Sequence, residues 1–398
     1  MHAGRRQHKN AGGNRFMEQH FFFSAPGRTE ISGNHTDHQH GCVLAAAVNL
    51  ETTAEVVLND SNQIIVHSDG YRTIRVDLDD LTPRAYEKNT TPSLVRGVAA
   101  AFVQRGAALS GFTAYVHSSV LPGSGLSSSA AFEVLMGTII NELFCNGHFT
   151  AIEIAQIAQY AENEYFGKPC GLMDQMASSV GGMVFIDFED PEVPHVERLP
   201  FAFAAADHAL CIIESGADHA GLTEEYGAIP QELQTVCQYF GKRTLRQVPE
   251  KDFFEALPDL RGKVSDRAIL RAIHVYQENR RVLKQTSALR RGDFETFLSL
   301  VTESGHSSWM YLQNICPAGE TDLQPMAIAL ALCDTLLKGR GAYRVHGGGF
   351  AGTVQAFVPN DQLNRFVQGI EAVLGQGSCH VLTIRQEGGI RISEGGNS

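Results

Sequence analysis

Long apolar runs are missing from this chain of 398 residues: none approaches the ~20 residues that a bilayer-spanning helix needs, which argues against a membrane partner. A secretory signal is missing too. Residues 1–16 are basic and polar (Arg5, Arg6, Lys9, Arg15) and lack the apolar stretch of about 7–15 residues that such a signal requires; Phe21, Phe22 and Phe23 are too few to supply it. The expectation for this extension is a disordered end, or a true start at Met17. Positive charge is short. Lys and Arg number 32 against 44 Asp and Glu, a formal net charge of −12, so the basic face that nucleic-acid phosphates demand is not expected. The eight cysteines form no C-x-x-C pair and no zinc-ligand spacing, which predicts reduced thiols in a cytoplasmic protein. There is no internal repeat and no low-complexity linker.

What is present is a globular composition. Hydrophobic residues make up 43%, enough for a full core, and the length suits two domains of roughly 100–200 residues each. Short runs at 43–48, 54–58, 63–67 and 73–76, parted by turn formers at 59–62 and 68–70, predict strands. Helical spacing predicts helices at 93–104, 132–144 and 151–165, the last opened by Thr150, with strands at 112–120 and 183–188. The second half predicts a strand at 209–214 and helices at 231–240, 266–289, 294–305 and 323–338. Strands at 342–346 and 353–358 then flank a glycine run, before a helix at 361–374 and a strand at 379–384. Strands followed by helices in each half predict an α+β protein of two domains, 17–205 and 206–398, with the proline-bearing stretch 190–206 as the boundary.

Four segments concentrate chemistry. In Leu121-Pro122-Gly123-Ser124-Gly125-Leu126-Ser127-Ser128-Ser129-Ala130-Ala131 a strand gives way to a helix. Unpaired N–H groups at a helix start favour an anion. Gly123 and Gly125 let backbone approach a ligand. The hydroxyls of Ser124, Ser127, Ser128 and Ser129 can donate to phosphate or ligate magnesium. No Gly-Lys-Ser/Thr closes the loop and the glycine spacing is not that of a dinucleotide site, so a different kind of nucleoside-triphosphate cradle is expected. The second segment, residues 25–38, crowds hydrogen-bonding side chains in a way that suits a polyhydroxylated ligand. Asp37 can accept from two hydroxyls, and Arg28 can steady developing negative charge. Metal binding by His35, Asp37, His38 and His40 is a rival reading, weakened because alternate residues of an extended segment face opposite ways; a polar surface loop is the plain one. In the third segment, residues 162–176, a helix ends near Phe166 and Asp174 opens the next, where it can orient or deprotonate a hydroxyl or merely complement the helix dipole. Glu162 is a candidate magnesium ligand. In the fourth, Arg344-Val345-His346 runs into Gly347, Gly348 and Gly349, a close-approach turn or simply a flexible one.

In this order the four segments resemble the GHMP kinase superfamily and, within it, the galactokinases. Leu121 to Ala131 looks like the superfamily's ATP motif, and Gly27 to Asp37 is similar to the galactokinase signature Gly-Arg-Val-Asn-Leu-Ile-Gly-Glu-His-Thr-Asp. Cys170 to Gln175 resembles the stretch with the catalytic aspartate, Gly347 to Phe350 the C-terminal glycine motif, and Asp218 to Tyr226 the segment with a sugar-contacting tyrosine. The resemblance implies a two-domain α+β fold with the active site in the cleft, and ATP-dependent phosphorylation of D-galactose at its anomeric hydroxyl. It implies catalytic roles for Asp174 and Arg28, sugar contacts by Asn34, His35, Asp37, Gly171 and Tyr226, and magnesium held by Ser129 and Glu162. Gly123, Ser124, Gly125, Leu126, Ser127 and Ser128 would cradle the ATP phosphates. The expected partner is a small sugar, and the expected state a monomer or weak oligomer.

The signature is altered in places. Asn34 stands where a glutamate that contacts the sugar's C6 hydroxyl is usual, His38 replaces a usual tyrosine and His346 a usual threonine, while Glu30 and Ser32 are further changes. A neutral amide at C6 tolerates a carboxylate that a glutamate would repel, which makes galacturonate the second expected substrate. A non-catalytic ATP- and sugar-binding sensor is the third reading; the presence of Ser127, Ser128, Ser129, Arg28 and Asp174 together favours catalysis.

Overall fold

The computed structural model describes residues 19–120, 125–168, 170–201, 206–216, 222–350 and 352–393. Two long antiparallel strands organise the first half. β1 (His20–Ser32) pairs with β2 (Cys42–Leu58) from His20 opposite Val57 to Ser32 opposite Leu44, with register breaks at Pro26/Arg28 and Glu30/Ser32. The two strands expected at 43–48 and 54–58 are therefore one. β3 (Gln63–Ser68), β4 (Ile74–Asp77) and β5 (Phe112–Ser118) extend the sheet in the order β1-β2-β5-β3-β4. The opening residues of β2 pair instead with β6 (Met183–Asp187), which carries β7 (His195–Leu199). From Phe23 onward β1 is buried on both faces, so it lacks the alternation that marks a half-buried strand. This is why no strand was legible there.

Helices α1 (Thr91–Gln104), α2 (Ser128–Phe144), α3 (Ala151–Tyr160) and α4 (Met173–Val180) supply the other layer. Phe23, Val56, Phe102, Phe112 and Ile139 meet in the core between them and the sheet. The helix expected over 151–165 is α-helical only to Tyr160 and continues as a π-helical turn, Ala161–Phe166.

The second half holds an antiparallel sheet ordered β11-β8-β10-β9: β8 (His208–Glu214), β9 (Ala342–His346), β10 (Thr353–Pro359) and β11 (Cys379–Leu382). Before β9 come α5 (Thr223–Tyr239), α6 (Glu250–Leu260), α7 (Asp266–Arg290), α8 (Phe294–Ser307) and α9 (Pro325–Leu337); α10 (Leu363–Leu374) follows β10. α8 too runs on as a π turn, Ser308–Leu312. α9 and α10 pack on one face of the sheet through Leu330 and Phe366 against Cys211 and Val354.

The halves share a core. Ile31, Leu44 and Leu126 from the first pack with Leu210, Phe297 and Phe357 from the second. Past β11 the chain crosses back, and β12 (Ile390–Ile392) pairs with β1. The expected unit 206–398 thus loses its last strand to the first sheet. Bulges re-aim side chains, and the two register breaks in β1 flank Arg28, Thr29 and Glu30, turning these residues toward the junction of the two halves.

Candidate active site

Arg28 leaves the first break nearly buried, with its backbone N–H on the Leu126 carbonyl at 3.0 Å. Gly27 allows this approach: a Cβ there would stand 3.1 Å from the Leu126 oxygen. The guanidinium forks onto one carboxylate, Nε to Asp174 Oδ1 at 2.7 Å and Nη2 to Asp174 Oδ2 at 2.5 Å, while Nη1 donates to the Gly125 carbonyl. Ser127 Oγ donates to the same Asp174 Oδ2 at 2.7 Å. Residues 146 apart in sequence are thereby locked to each other and to the serine-rich loop. Burial works against both charges, but the contact outweighs it. Arg28 is raised, and Asp174 is held below the usual carboxylate range by Arg28 and by the Ser127 hydroxyl.

Ser127 caps α2 from the left-handed region (φ 57°, ψ 66°), yet its hydroxyl bonds Asp174 rather than the helix backbone. The forgone cap costs about 1 kcal/mol, and the first N–H groups of α2 get no side-chain acceptor from Ser127. Ser128 and Ser129 are the first two residues of that helix and partly exposed. Gly123 and Ser124 lie outside the described residues, as do 218–219.

Around the signature, a Cβ on Gly171 would fall 2.1 Å from Asp37 Oδ2, so only glycine permits this carboxylate its position. Burial raises Asp37 and lowers His35. The glycine turn closes over them. Asn34 Nδ2 donates to the Gly347 carbonyl at 2.5 Å, His35 Nε2 meets the Gly348 carbonyl at 3.1 Å, and the Tyr226 hydroxyl donates to the Gly349 carbonyl at 2.9 Å.

Asn34 differs from its partners in being fully buried. Its Nδ2 also reaches Glu30 Oε1 at 3.2 Å, and its Oδ1 accepts from Asn314 Nδ2 at 2.9 Å. Glu30 is in turn paired with the fully buried Arg344 at 2.5 Å. The Glu30 N–H donates to His346 Nε2 at 3.2 Å, which leaves Nδ1–H to donate to Thr353 Oγ1 at 2.8 Å. Glu30 and His346, read in sequence only as alterations, form with Asn34 one polar lock between β1 and β9; Asn34, expected as a sugar contact, is buried and engages Glu30, Gly347 and Asn314 through its amide instead.

Glu162, on the π turn, is buried; Gln175 Nε2 donates to its Oε2 at 2.7 Å, and Lys168 Nζ lies 3.4 Å from its Oε1. The same Gln175 nitrogen meets Glu133 Oε2 at 3.1 Å, and among the described residues Glu133 Oε1 has no partner. Burial and then Glu162 push Glu133 well above the usual range. Glu133, Gln175 and Asn314 were not picked out from sequence. For Glu133 a signal existed: it is an acid near the start of an apolar helical run, one turn beyond Ser129.

Known proteins resemble this chain in both sequence and fold. Residues 10–57 match the galactokinase galactose-binding signature, and residues 93–182 the N-terminal domain of GHMP kinases. A galactokinase of Thermotoga neapolitana is 35% identical over 334 residues, 83% of this chain and 87% of the relative. The chain belongs to the galactokinase family. A second galactokinase, from Glaesserella parasuis serovar 5, is 31% identical over 355 residues, 87% of this chain and 89% of that one. Lactococcus lactis galactokinase, solved with galactose, shares the fold at a TM-score of 0.79 and 24% identity, covering 94% of this chain and 95% of its own; a mevalonate kinase has a TM-score of 0.65 at 13% identity, covering 92% and 99%. The galactokinase fold accounts for the mixed α+β architecture, and the chain is a sugar kinase built on it. Among the described residues no helix is long and apolar enough to cross a membrane.

Proposed function

We propose that this chain transfers the terminal phosphoryl group of ATP to the anomeric hydroxyl of D-galactose, giving galactose 1-phosphate and ADP. The observation that carries the reading is the Arg28 fork on Asp174, shared with Ser127 and the Gly125 carbonyl. It joins an acceptor for a hydroxyl, a fixed positive charge and an anion-binding loop in one place. Phosphoryl transfer needs mainly alignment and charge neutralisation. Asp174 is held ionised by Arg28, so it suits anchoring and orienting the attacking hydroxyl more than early proton removal. Arg28 would offset charge on the transferring group. The phosphates would lie against Gly125, Leu126, Ser127, Ser128 and Ser129 at the start of α2, where N–H groups converge. By the family resemblance Gly123 and Ser124, outside the described residues, are assigned to the same cradle.

Asp37, Gly171, His35 and Tyr226 would hold the sugar, with Asn34 fixing the turn behind it. The galactokinase relatives favour galactose over its uronic acid and over a silent sensor. Ser129 and Glu162 offer the hard oxygen donors that magnesium prefers, and among the described residues the buried Glu133 Oε1 beside Glu162 has no partner. The residues fit Mg2+, which Ser129 and Glu162 would hold and which would supply positive charge to offset that of the ATP phosphates. Eight free cysteines support a reducing, cytoplasmic setting. A panel of galactose, galacturonate, N-acetylgalactosamine, glucose and arabinose with ATP and Mg2+ tests the reading. ADP release with galactose foremost is expected; no sugar-dependent turnover would discard it.

A further inference from the structure

The short helical turn Asp37–Gln39 carries a directed chain of hydrogen bonds into the cleft. It begins at a backbone group: the Leu245 N–H donates to Gln39 Oε1 at 3.1 Å, and the Cys237 thiol reaches the same oxygen at 3.6 Å. An oxygen so engaged fixes the amide's orientation, and Gln39 Nε2 is then the end that meets His38 Nδ1 at 3.2 Å. Nδ1 must accept, so neutral His38 carries its proton on Nε2. That Nε2–H points at His35 Nδ1, 3.2 Å away, which puts the His35 proton on Nε2. The last partner is the Gly348 carbonyl at 3.1 Å, which can only accept. Backbone groups at both ends thus assign the two tautomers, and each step agrees with the next.

We infer that His38 is a positioning residue: its Nε2–H reserves His35 Nδ1 as an acceptor and keeps the opposite Nε2–H as the donor facing the glycine turn and the sugar. The inference rests on reading this cleft as the sugar pocket. His38 itself stays neutral, because burial and then His35 push it down to about 3. The groups facing His35 are Asp37 and Glu30 from its own segment, His38 beside it, Arg271 and His274 from α7, and the Gly348 carbonyl from the turn. Burial foremost, then Arg271, resists a proton on His35; Asp37 and Glu30 invite one. A proton on Nδ1 would be set against the Nε2–H of His38. Without His38 that obstacle is gone, and a protonated His35 would compete with sugar hydroxyls for Asp37.

The test pairs ring-nitrogen NMR of 15N-histidine-labelled protein with steady-state kinetics on D-galactose from about pH 5.5 to 8. In the wild type His35 is expected as the Nε2–H tautomer throughout, with a flat KM. In His38→Phe, His35 should titrate and KM rise about fivefold toward the acid end, with kcat within about twofold. His38→Gln, whose amide N–H can take the place of Nε2–H, should restore the wild-type profile. If His38→Phe does not fold, His38→Asn, too short to reach His35, replaces it. A wild-type His35 protonated on Nδ1, or an unchanged His35 spectrum and flat KM without the His38 donor, would overturn the inference. Absence of galactose phosphorylation by the wild type would instead remove the functional reading, and the ring spectra would still decide this one.

Discussion

Asp174→Ala should damage the protein twice, and the two injuries can be separated. The substitution removes a group expected to orient the attacking hydroxyl, and it strands the guanidinium of Arg28, whose side chain is 9% exposed, without its carboxylate. Breaking a buried pair costs about 3–5 kcal/mol. Asp174 is itself 29% exposed, so the lower end, about 3 kcal/mol, is expected. Unfolding entropy of about 2.1 cal/mol/K per residue over 398 residues gives roughly 0.8 kcal/mol/K, so about 3 kcal/mol lowers Tm by roughly 4 °C. Arg28→Met/Asp174→Ala removes the stranded charge and should recover about half of that loss. Turnover, measured as sugar-dependent ADP release, should fall about 10³-fold or more in both and recover in neither. Stability and activity therefore part company in the double variant. An Asp174→Ala protein as stable as the wild type, or a double variant less stable than the single, would refute the buried-pair reasoning; near-normal turnover would refute the catalytic role.

Three other perturbations probe the same geometry. Burial raises Asp37, so its protonated form favours the folded state below the usual carboxylate value of 3.8, and this advantage is lost as pH rises through the folded value. Asp37→Asn should hence raise Tm at pH 7, with a smaller gain near pH 4, while weakening galactose binding; a lower Tm at pH 7 would count against it. By the signature alone Asn34→Glu looks benign, but here it would set a second carboxylate against Glu30 Oε1 and the Gly347 carbonyl. Its melting temperature should drop by several degrees, about 2–4 kcal/mol, and Glu30→Asn/Asn34→Glu should lose less; equal losses would sink this account. Glu133, raised by burial and by Glu162, is an acid kept neutral, and Glu133→Gln should stay within about 0.5 kcal/mol of wild type at pH 7 in a denaturant titration. A loss above about 2 kcal/mol would mean that the negative charge is needed there.

Much of the fold was legible because most elements obey a simple period. α1, α7, α8 and the strands β3, β4, β8, β9 and β10 fall within a few residues of their apolar patterns. β1 was not, and it carries the centre of the site. Buried on both faces and rich in Arg28, Thr29, Glu30 and Ser32, it follows neither the alternating nor the apolar-run pattern. The pairing of Arg28 with Asp174 was expected only through the family resemblance, since nothing local links them. The roles of Glu30, Asn314, Arg344 and His346 were out of reach for another reason. A buried polar network is defined by contacts between distant segments, and its members look individually like surface residues in the wrong place.

The most direct measurement is 31P NMR of the sugar product formed from ATP and D-galactose by the wild-type protein and by Arg28→Met/Asp174→Ala. A resonance coupled to the anomeric proton, formed by the wild type and missing with the double variant, is the predicted result. Phosphate on any other hydroxyl, or the same product at the same rate from both proteins, would contradict an Arg28–Asp174 pair that delivers the anomeric oxygen to ATP.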